Sequence, residues 1–350
     1  MAADQRLSKH LGRVKSRRRI RAGLPSSLSW AAAEEAISAM TDRGCAGFRH
    51  TRLARSSTGE ETYRLIATLE GGGSQSAVYH RSPVVQVASS RLDGAINDVV
   101  RSFDMPESLI FSSVHGRPLS RFVPEVYFLE STAEALQYVV EDVDGQTPQD
   151  GQLVTVAGAL PALHMALLEW AEIVQPRLAT RHQHYFVEIA PTMQVILKEL
   201  AVESANQSAA ELLDGWQRVV ELQSALDVGD GRQPIHGDLH RWNVLFAETS
   251  GGTVKIIDWD SVVWGHPLVD LATLLIDESA ELQASALDAY LAGRSPGDDL
   301  AADERLYLHA RLHVSLLWSC LFASGRGWSR RASVMDRHLD EAARLLAALI

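Results

Sequence analysis

Two short apolar runs, Val244 to Phe246 and Val254 to Ile257, constrain this chain more than any other feature. Thr249-Ser250-Gly251-Gly252 stands between them, so the pair reads as a β-hairpin whose polar neighbours fall at strand ends. One strand is entered from a loop carrying Asp238 and Asn243, and the other leaves into a loop headed by Asp258. Three side-chain oxygens brought to one edge of a hairpin are the donor type that hard divalent cations take.

The spacing sharpens that chemistry. His236, Asp238 and Asn243 follow H-x-D-x-x-x-x-N, after which come a hydrophobic strand and a second aspartate, Asp258. This is the order of a kinase catalytic loop and metal loop. Phosphoryl transfer asks for positioning, charge neutralisation and one carboxylate to orient and deprotonate the attacking hydroxyl. Asp238 suits the carboxylate, Asn243 and Asp258 suit the metal, and His236 suits a brace for the loop.

The segment from Ile235 to Phe246, the Ile256-Ile257-Asp258-Trp259-Asp260 run, Gly265-His266-Pro267 and Asp270-Leu271-Ala272 together resemble the aminoglycoside phosphotransferase and choline kinase-like group of small-molecule kinases. The resemblance extends from about Trp30 to the Trp318 region, and its specific part is 235 to 272. It implies an α+β, two-lobed protein-kinase-like fold with a small antiparallel-sheet N-lobe and a larger, mostly helical C-lobe. The expected division is a basic arm at 1–22, a nucleotide-binding lobe at 23–140, a hinge at 141–145 and a catalytic and acceptor-binding lobe at 146–350. It also implies ATP or GTP as phosphoryl donor, Mg2+ or Mn2+ as cofactor, and a hydroxyl of a small molecule, an antibiotic among the candidates, as acceptor. Asp270 is the expected structural anchor of the catalytic loop.

In the N-lobe the expected elements are a helix from Trp30 to Thr41, capped by Ser29 and stopped by Gly44, then strands at Phe48–Arg55, Thr62–Glu70 and Ser76–Arg81. The resemblance places a phosphate-covering loop at Ser56-Ser57-Thr58-Gly59, where a plain hairpin turn fits equally. It also places a phosphate-holding lysine on the third strand, but no lysine occurs between Lys15 and Lys198. The role would pass to His80, by position, or to Arg81, by its permanent charge, and strand alternation lets only one of them face a cleft. Glu107 is the candidate partner of that base, with 84–105 as an insertion. The last two strands, Val126–Leu129 and Gln137–Val140, lead to Glu141-Asp142-Val143-Asp144-Gly145, where main-chain groups at Glu141 and Val143 would read the base of the nucleotide.

In the C-lobe, Val156, Leu160, Leu163, Leu167 and Trp170 draw one helical stripe, with His164 as a satisfied core histidine. Further helices are expected to about Leu222, from Ser279 to Ala292, from Arg305 to Phe322, and along Met335, Leu339, Ala342, Leu346 and Leu349. Trp242 and Trp259 are expected to pack the loops, and Asp260 to form a surface salt bridge.

Charge and cysteines limit the partners. Residues 1–22 carry a net +7 of a total of −11, leaving −18 on the other 328 residues. The arm is expected to be solvated and without fixed structure. An acidic body makes nucleic acid an unlikely partner. No membrane span or signal segment stands out, Cys45 and Cys320 lack metal-ligand spacing, and the expected location is the cytoplasm. Two rival readings remain. His236, Asp238 and His240 could ligate a transition metal in a hydrolase, or the missing lysine could mark a pseudokinase that binds nucleotide without turnover.

Overall fold

The computed structural model describes residues 21–22, 24–55, 60–83, 106–132, 134–174, 185–227, 232–247, 252–294, 300–324 and 332–350. The Ser56–Gly59 turn, the 84–105 insertion, 228–231 ahead of the catalytic strand and 249–251 of the hairpin turn lie outside them, as do residues 1–20 of the arm. The chain divides into two compact bodies, one formed by 1–87 with 125–142 and the other by 88–124 with 143–350.

Among the described residues, the first body is a six-stranded antiparallel sheet with one helix. Its strands β1 (Arg21–Ala22), β2 (Cys45–Arg55), β3 (Glu61–Leu69), β4 (Ser74–Pro83), β5 (Val126–Ser131) and β6 (Ala135–Glu141) lie in the order β1-β2-β3-β4-β6-β5. Helix α1 (Trp30–Thr41) begins at Ser29, whose hydroxyl accepts the Ala32 N–H at 3.1 Å. It stops earlier than Gly44, because Asp42 turns left-handed at φ 53° and donates its N–H to Ser38. Ala33, Ala36 and Ile37 pack with Leu65, Ala67, Ala77, Tyr79 and Val139, so one face of the sheet forms this body's core. Arg21 and Ala22 pair with His50 and Arg49 at the sheet edge.

The second body is mostly helical. Helix α2 (Pro106–Ser113) is followed by α3 (Asp150–Val174), α4 (Tyr185–Glu203), α5 (Gln207–Asp214) and α6 (Trp216–Asp227). Two small sheets come next, β7 (Gln233–Ile235) with β10 (Val263–Gly265) and β8 (Val244–Ala247) with β9 (Thr253–Ile256). Helices α7 (Leu268–Leu274), α8 (Ala280–Ala292), α9 (Leu300–Ser324) and α10 (Ala332–Leu349) complete it. The stripe on α3 and that on α10 are buried as their spacing requires. Helix α3 is long and apolar enough to cross a membrane by length and composition, which the sequence reading overlooked, but Val156, Leu160, Leu163, Leu167 and Trp170 are spent on the core.

Residues 106–124, placed above in the N-terminal lobe, pack instead in the second body. Among the contacts that hold them there, the Trp170 indole N–H donates to Ser113 Oγ at 2.8 Å, Ile256 N–H to the Phe122 carbonyl at 2.6 Å, and Lys255 Nζ to the Val123 carbonyl at 2.8 Å. None of these has a local sequence signal.

Candidate active site

The hairpin builds the site from β8 and β9, which pair Val244 with Ile256 and Ala247 with Thr253. Ahead of β8 the chain makes a tight 3-10 turn at Arg241–Asn243, and after β9 a second one at Trp259–Ser261. The Ile257 N–H donates to the Asn243 carbonyl at 3.0 Å, so the entry and exit loops are tied directly.

Asp270, on the first turn of α7, is fully buried and fastens the loop that carries Asp238. Its carboxylate accepts the His236 and Gly237 N–H groups, each at 2.9 Å, and lies 3.1 Å from His164 Nε2. The expected anchor and the expected core histidine therefore meet in one network. Gly237 has φ +82°, and a Cβ there would stand 2.2 Å from the Ser261 carbonyl oxygen, so only glycine fits. His236 is braced on both ring nitrogens: Nε2 is 3.2 Å from the Ile257 carbonyl and Nδ1 accepts the Asp238 N–H at 3.4 Å.

That bracing removes the hydrolase reading. With both nitrogens engaged inside the fold, His236 has none to offer a cation, and no cluster of three His, Cys, Asp or Glu that could hold a metal occurs among the described residues.

Asp238 sits next to this braced core. Burial pushes its pKa up to about 7, the negative charges of Asp260 and Asp270 push the same way, and the Asn243 amide pulls it down. Its side chain keeps 40% of its exposure, so water reaches the carboxylate and works against that rise. His240 Nε2 is 3.6 Å from Asp238 Oδ2, and burial holds this imidazole below its ordinary pKa.

Asn243 donates its amide N–H to the Asp238 carbonyl at 2.9 Å and more weakly to the Asp238 carboxylate at 3.5 Å. With the nitrogen so committed, the amide oxygen is the end left for a ligand. Asp258 precedes the second turn in a left-handed conformation, φ 67° and ψ 63°, and is exposed. An amide oxygen and an exposed carboxylate are donors that suit Mg2+ or Mn2+. Trp259 behaves as expected, fully buried with its indole N–H on the Ile256 carbonyl at 2.8 Å. Trp242 does not: it is 46% exposed and meets His240 edge to face. Asp260 accepts the Ser261 hydroxyl at 2.9 Å. Arg241 was missed in the sequence, yet it ties the loop to Glu278 at 2.7 Å and to the Pro148 carbonyl at 2.7 Å.

On β4, Ala77 and Tyr79 face the core, and His80 lies on the opposite face, where its Nδ1 is 2.9 Å from Thr62 Oγ1 and its ring stacks on Tyr138. Burial drives its pKa down to about 4, so it is neutral near pH 7. Arg81 is partly buried and paired in register with Glu61 and Gln137. Glu107 is buried on the first turn of α2, in the second body. At the end of β6, the Glu141 N–H donates to the Glu125 carbonyl at 2.8 Å and the Glu141 carboxylate accepts the Glu125 N–H at 3.2 Å, and the division between the bodies falls between Asp142 and Val143.

A search of curated proteins gives no match. Solved structures of the same fold include a thermostable mutant of aminoglycoside phosphotransferase APH(4)-Ia in ternary complex with ADP and hygromycin B, at 16% identity and a TM-score of 0.52, covering 90% of this chain and 98% of that one. Choline kinase LicA from Streptococcus pneumoniae aligns at 12% identity and a TM-score of 0.50, covering 84% and 92%. At such identities the likeness establishes the fold alone, the α+β protein-kinase-like architecture. The profile of the phosphotransferase enzyme family, however, matches residues 105–308, well over half of the chain and the whole of the Asp238, Asn243, Asp258 and Asp270 constellation, and the chain belongs to that family.

Proposed function

We propose that this chain transfers the γ-phosphoryl group of ATP or GTP to a hydroxyl of a small molecule. The observation that carries the reading is the Asp238–Asn243 pair on a loop locked by Asp270, with Asp258 beyond the tied hairpin. The acceptor oxygen forms a bond to the γ-phosphorus as the bond from that phosphorus to the β,γ-bridging oxygen breaks. The acceptor proton passes to Asp238, and the nucleoside diphosphate leaves with the bridging oxygen. Asp238 is the general base, and a pKa raised toward neutrality makes it a stronger proton acceptor once ionised. Asn243 and Asp258 are the groups that would hold Mg2+ or Mn2+, which supplies charge neutralisation on the phosphates when bound.

Main-chain groups at Glu141 and Val143 are assigned to the nucleotide base, and Glu107 to the partner of the phosphate-binding cation. Of the two candidates for that cation, Arg81 is the one that stays charged, because His80 is held neutral. Antibiotics are one acceptor class under this reading, and the cytoplasm is the compartment that supplies the nucleotide.

The test is nucleoside diphosphate release with Mg2+ over a panel of hydroxyl compounds, with product mass detected. Asp238→Asn should lower turnover on the order of 10²- to 10⁴-fold while nucleotide still binds. Turnover undiminished in that variant, or full activity in excess chelator, would overturn the assignment. The neutral His80 favours one alternative, a pseudokinase that binds nucleotide without turnover. It would be recognised by nucleotide-dependent thermal stabilisation with no diphosphate released for any acceptor.

A further inference from the structure

Within the second body, the Arg241–Asn243 turn is held differently at its two ends. At the inner end Asn243 is buried, with its amide N–H on the Asp238 carbonyl at 2.9 Å and its own carbonyl accepting the Ile257 N–H at 3.0 Å. Trp242, between the ends, is exposed. At the outer end the Arg241 guanidinium reaches away from the turn. Its Nη1 donates to Glu278 Oε1 at 2.7 Å, and its Nη2 donates to the Pro148 carbonyl at 2.7 Å and lies 3.4 Å from Asp150 Oδ1. Both principal anchors sit on fixed backbone. The Glu278 N–H donates to the Leu275 carbonyl at 3.1 Å and the Glu278 carbonyl accepts the Gln283 amide at 2.9 Å, just beyond the helix that carries Asp270. Pro148 directly precedes Gln149, whose carbonyl accepts the Leu153 N–H at 3.0 Å as α3 begins. The Arg241 and Glu278 side chains keep only 24% and 9% of their exposure, so water competes weakly for this bond.

We propose that Arg241 is a positioning residue, which clamps the outer end of the turn to Glu278 and Pro148 and so aims the Asn243 amide oxygen at the divalent cation. This rests on the phosphotransfer reading above and adds to it a residue that acts through Asn243. The planar fork of a guanidinium serves two acceptors at once, whereas an ammonium is a single point charge. Charge and geometry also make opposite predictions at this position. A positive group two residues from Asn243 repels a divalent cation, so if Arg241 acted through its charge alone, removing it would tighten metal binding. If it acts as a clamp, removing it frees the turn, and metal binding weakens.

The experiment measures Mn2+ binding to the full chain by electron paramagnetic resonance, in the presence of the β,γ-imido analogues of ATP and GTP. The unaltered protein is compared with Arg241→Gln, Arg241→Lys, Glu278→Ala and the double variant Arg241→Gln/Glu278→Ala. Hydrogen exchange over residues 236–247, read by mass spectrometry, reports the loop itself without metal or nucleotide. The expected result for Arg241→Gln is Mn2+ affinity about 10- to 100-fold weaker, the range for a group that holds a metal ligand in place, with faster exchange confined to the loop. Arg241→Lys keeps the charge without the fork and should stay at least about fivefold weaker than the unaltered protein. Glu278→Ala breaks the bond from its far end, outside the loop, and so keeps the test decisive if Arg241→Gln folds poorly. The double variant should bind within about threefold of Arg241→Gln alone, because the two changes remove one shared bond. Mn2+ affinity that is unchanged or tighter in Arg241→Gln and Glu278→Ala, full recovery with lysine, or loop exchange that does not change overturns the clamp alone. An unaltered protein that takes up no Mn2+ with either nucleotide analogue overturns the phosphotransfer reading and the proposal with it, so the two failures are told apart by the unaltered protein.

Discussion

Replacing Asp270 by alanine tests whether one carboxylate sets the geometry of the catalytic loop. The substitution strips the acceptor from two backbone N–H groups at 2.9 Å and from His164 at 3.1 Å, all at a position with no solvent exposure. A buried donor left unsatisfied costs about 1–3 kcal/mol. Three of them, less the relief from no longer burying a carboxylate, give a loss of roughly 3–5 kcal/mol. That is a large part of the stability of an ordinary domain. Asp270→Asn should lose less, because its one oxygen still serves one N–H while its amide nitrogen opposes the other. Six of the seven tryptophans among the described residues belong to the second body, so tryptophan fluorescence during urea unfolding reports mainly the body that carries the network. The Asp270→Ala midpoint should fall with its slope unchanged. In the folded fraction kcat should drop about 10²-fold, since the released N–H groups lie one and two residues before Asp238 and small displacements at a reacting centre are costly. A loss of stability below about 1 kcal/mol together with unchanged kcat would refute the argument that Asp270 positions the loop.

Three further outcomes are expected. Gly237→Ala must push the Ser261 carbonyl away from a 2.2 Å approach, so it should disturb the Asp258–Ser261 turn and lower both the melting temperature and metal-dependent nucleotide binding, read by calorimetry and titration. Because burial, Asp260 and Asp270 raise the Asp238 pKa toward 7, kcat/KM should climb with pH through an inflection near that value and level off above it, and Asp260→Asn should move the inflection to lower pH. His80, His236 and His266 have folded pKa values of about 4 against an ordinary value near 6.5. Their contribution is thus complete above pH 6.5 and lost as pH falls toward 4, roughly 2 kcal/mol for each at pH 5, which chemical denaturation at pH 7 and pH 5 measures. Asp238 acts in the opposite sense, since its raised pKa favours the folded state as pH falls, and it offsets part of that loss.

What the sequence disclosed follows a physical division. Elements with a period, the α3 and α10 stripes and the β8–β9 alternation, could be read because each residue's burial repeats a rule that its neighbours also obey. The His236–Asn243 loop stands out because its residue types recur at a spacing that the hairpin then brings together. Contacts across long chain separations could not. Nothing near Arg241 announces Glu278 or Pro148, nothing near Trp170 announces Ser113, and the β7–β10 pairing joins three-residue strands too short to carry a pattern. His80 shows the limit most clearly. Its place on β4 was legible from alternation, but its neutrality comes from burial beside Tyr138 and Thr62, which only the folded sheet supplies.

The left-handed backbone at Asp258 carries an evolutionary consequence. An L-residue in that region is disfavoured by about 1–2 kcal/mol, a cost that glycine escapes and asparagine partly escapes. A library randomised at 258 and sorted only for heat resistance should therefore converge on glycine or asparagine. The same library sorted for growth that depends on turnover should return aspartate. Divergence of the two winners would mark this position as one where the chain is held off its stability optimum by its chemistry.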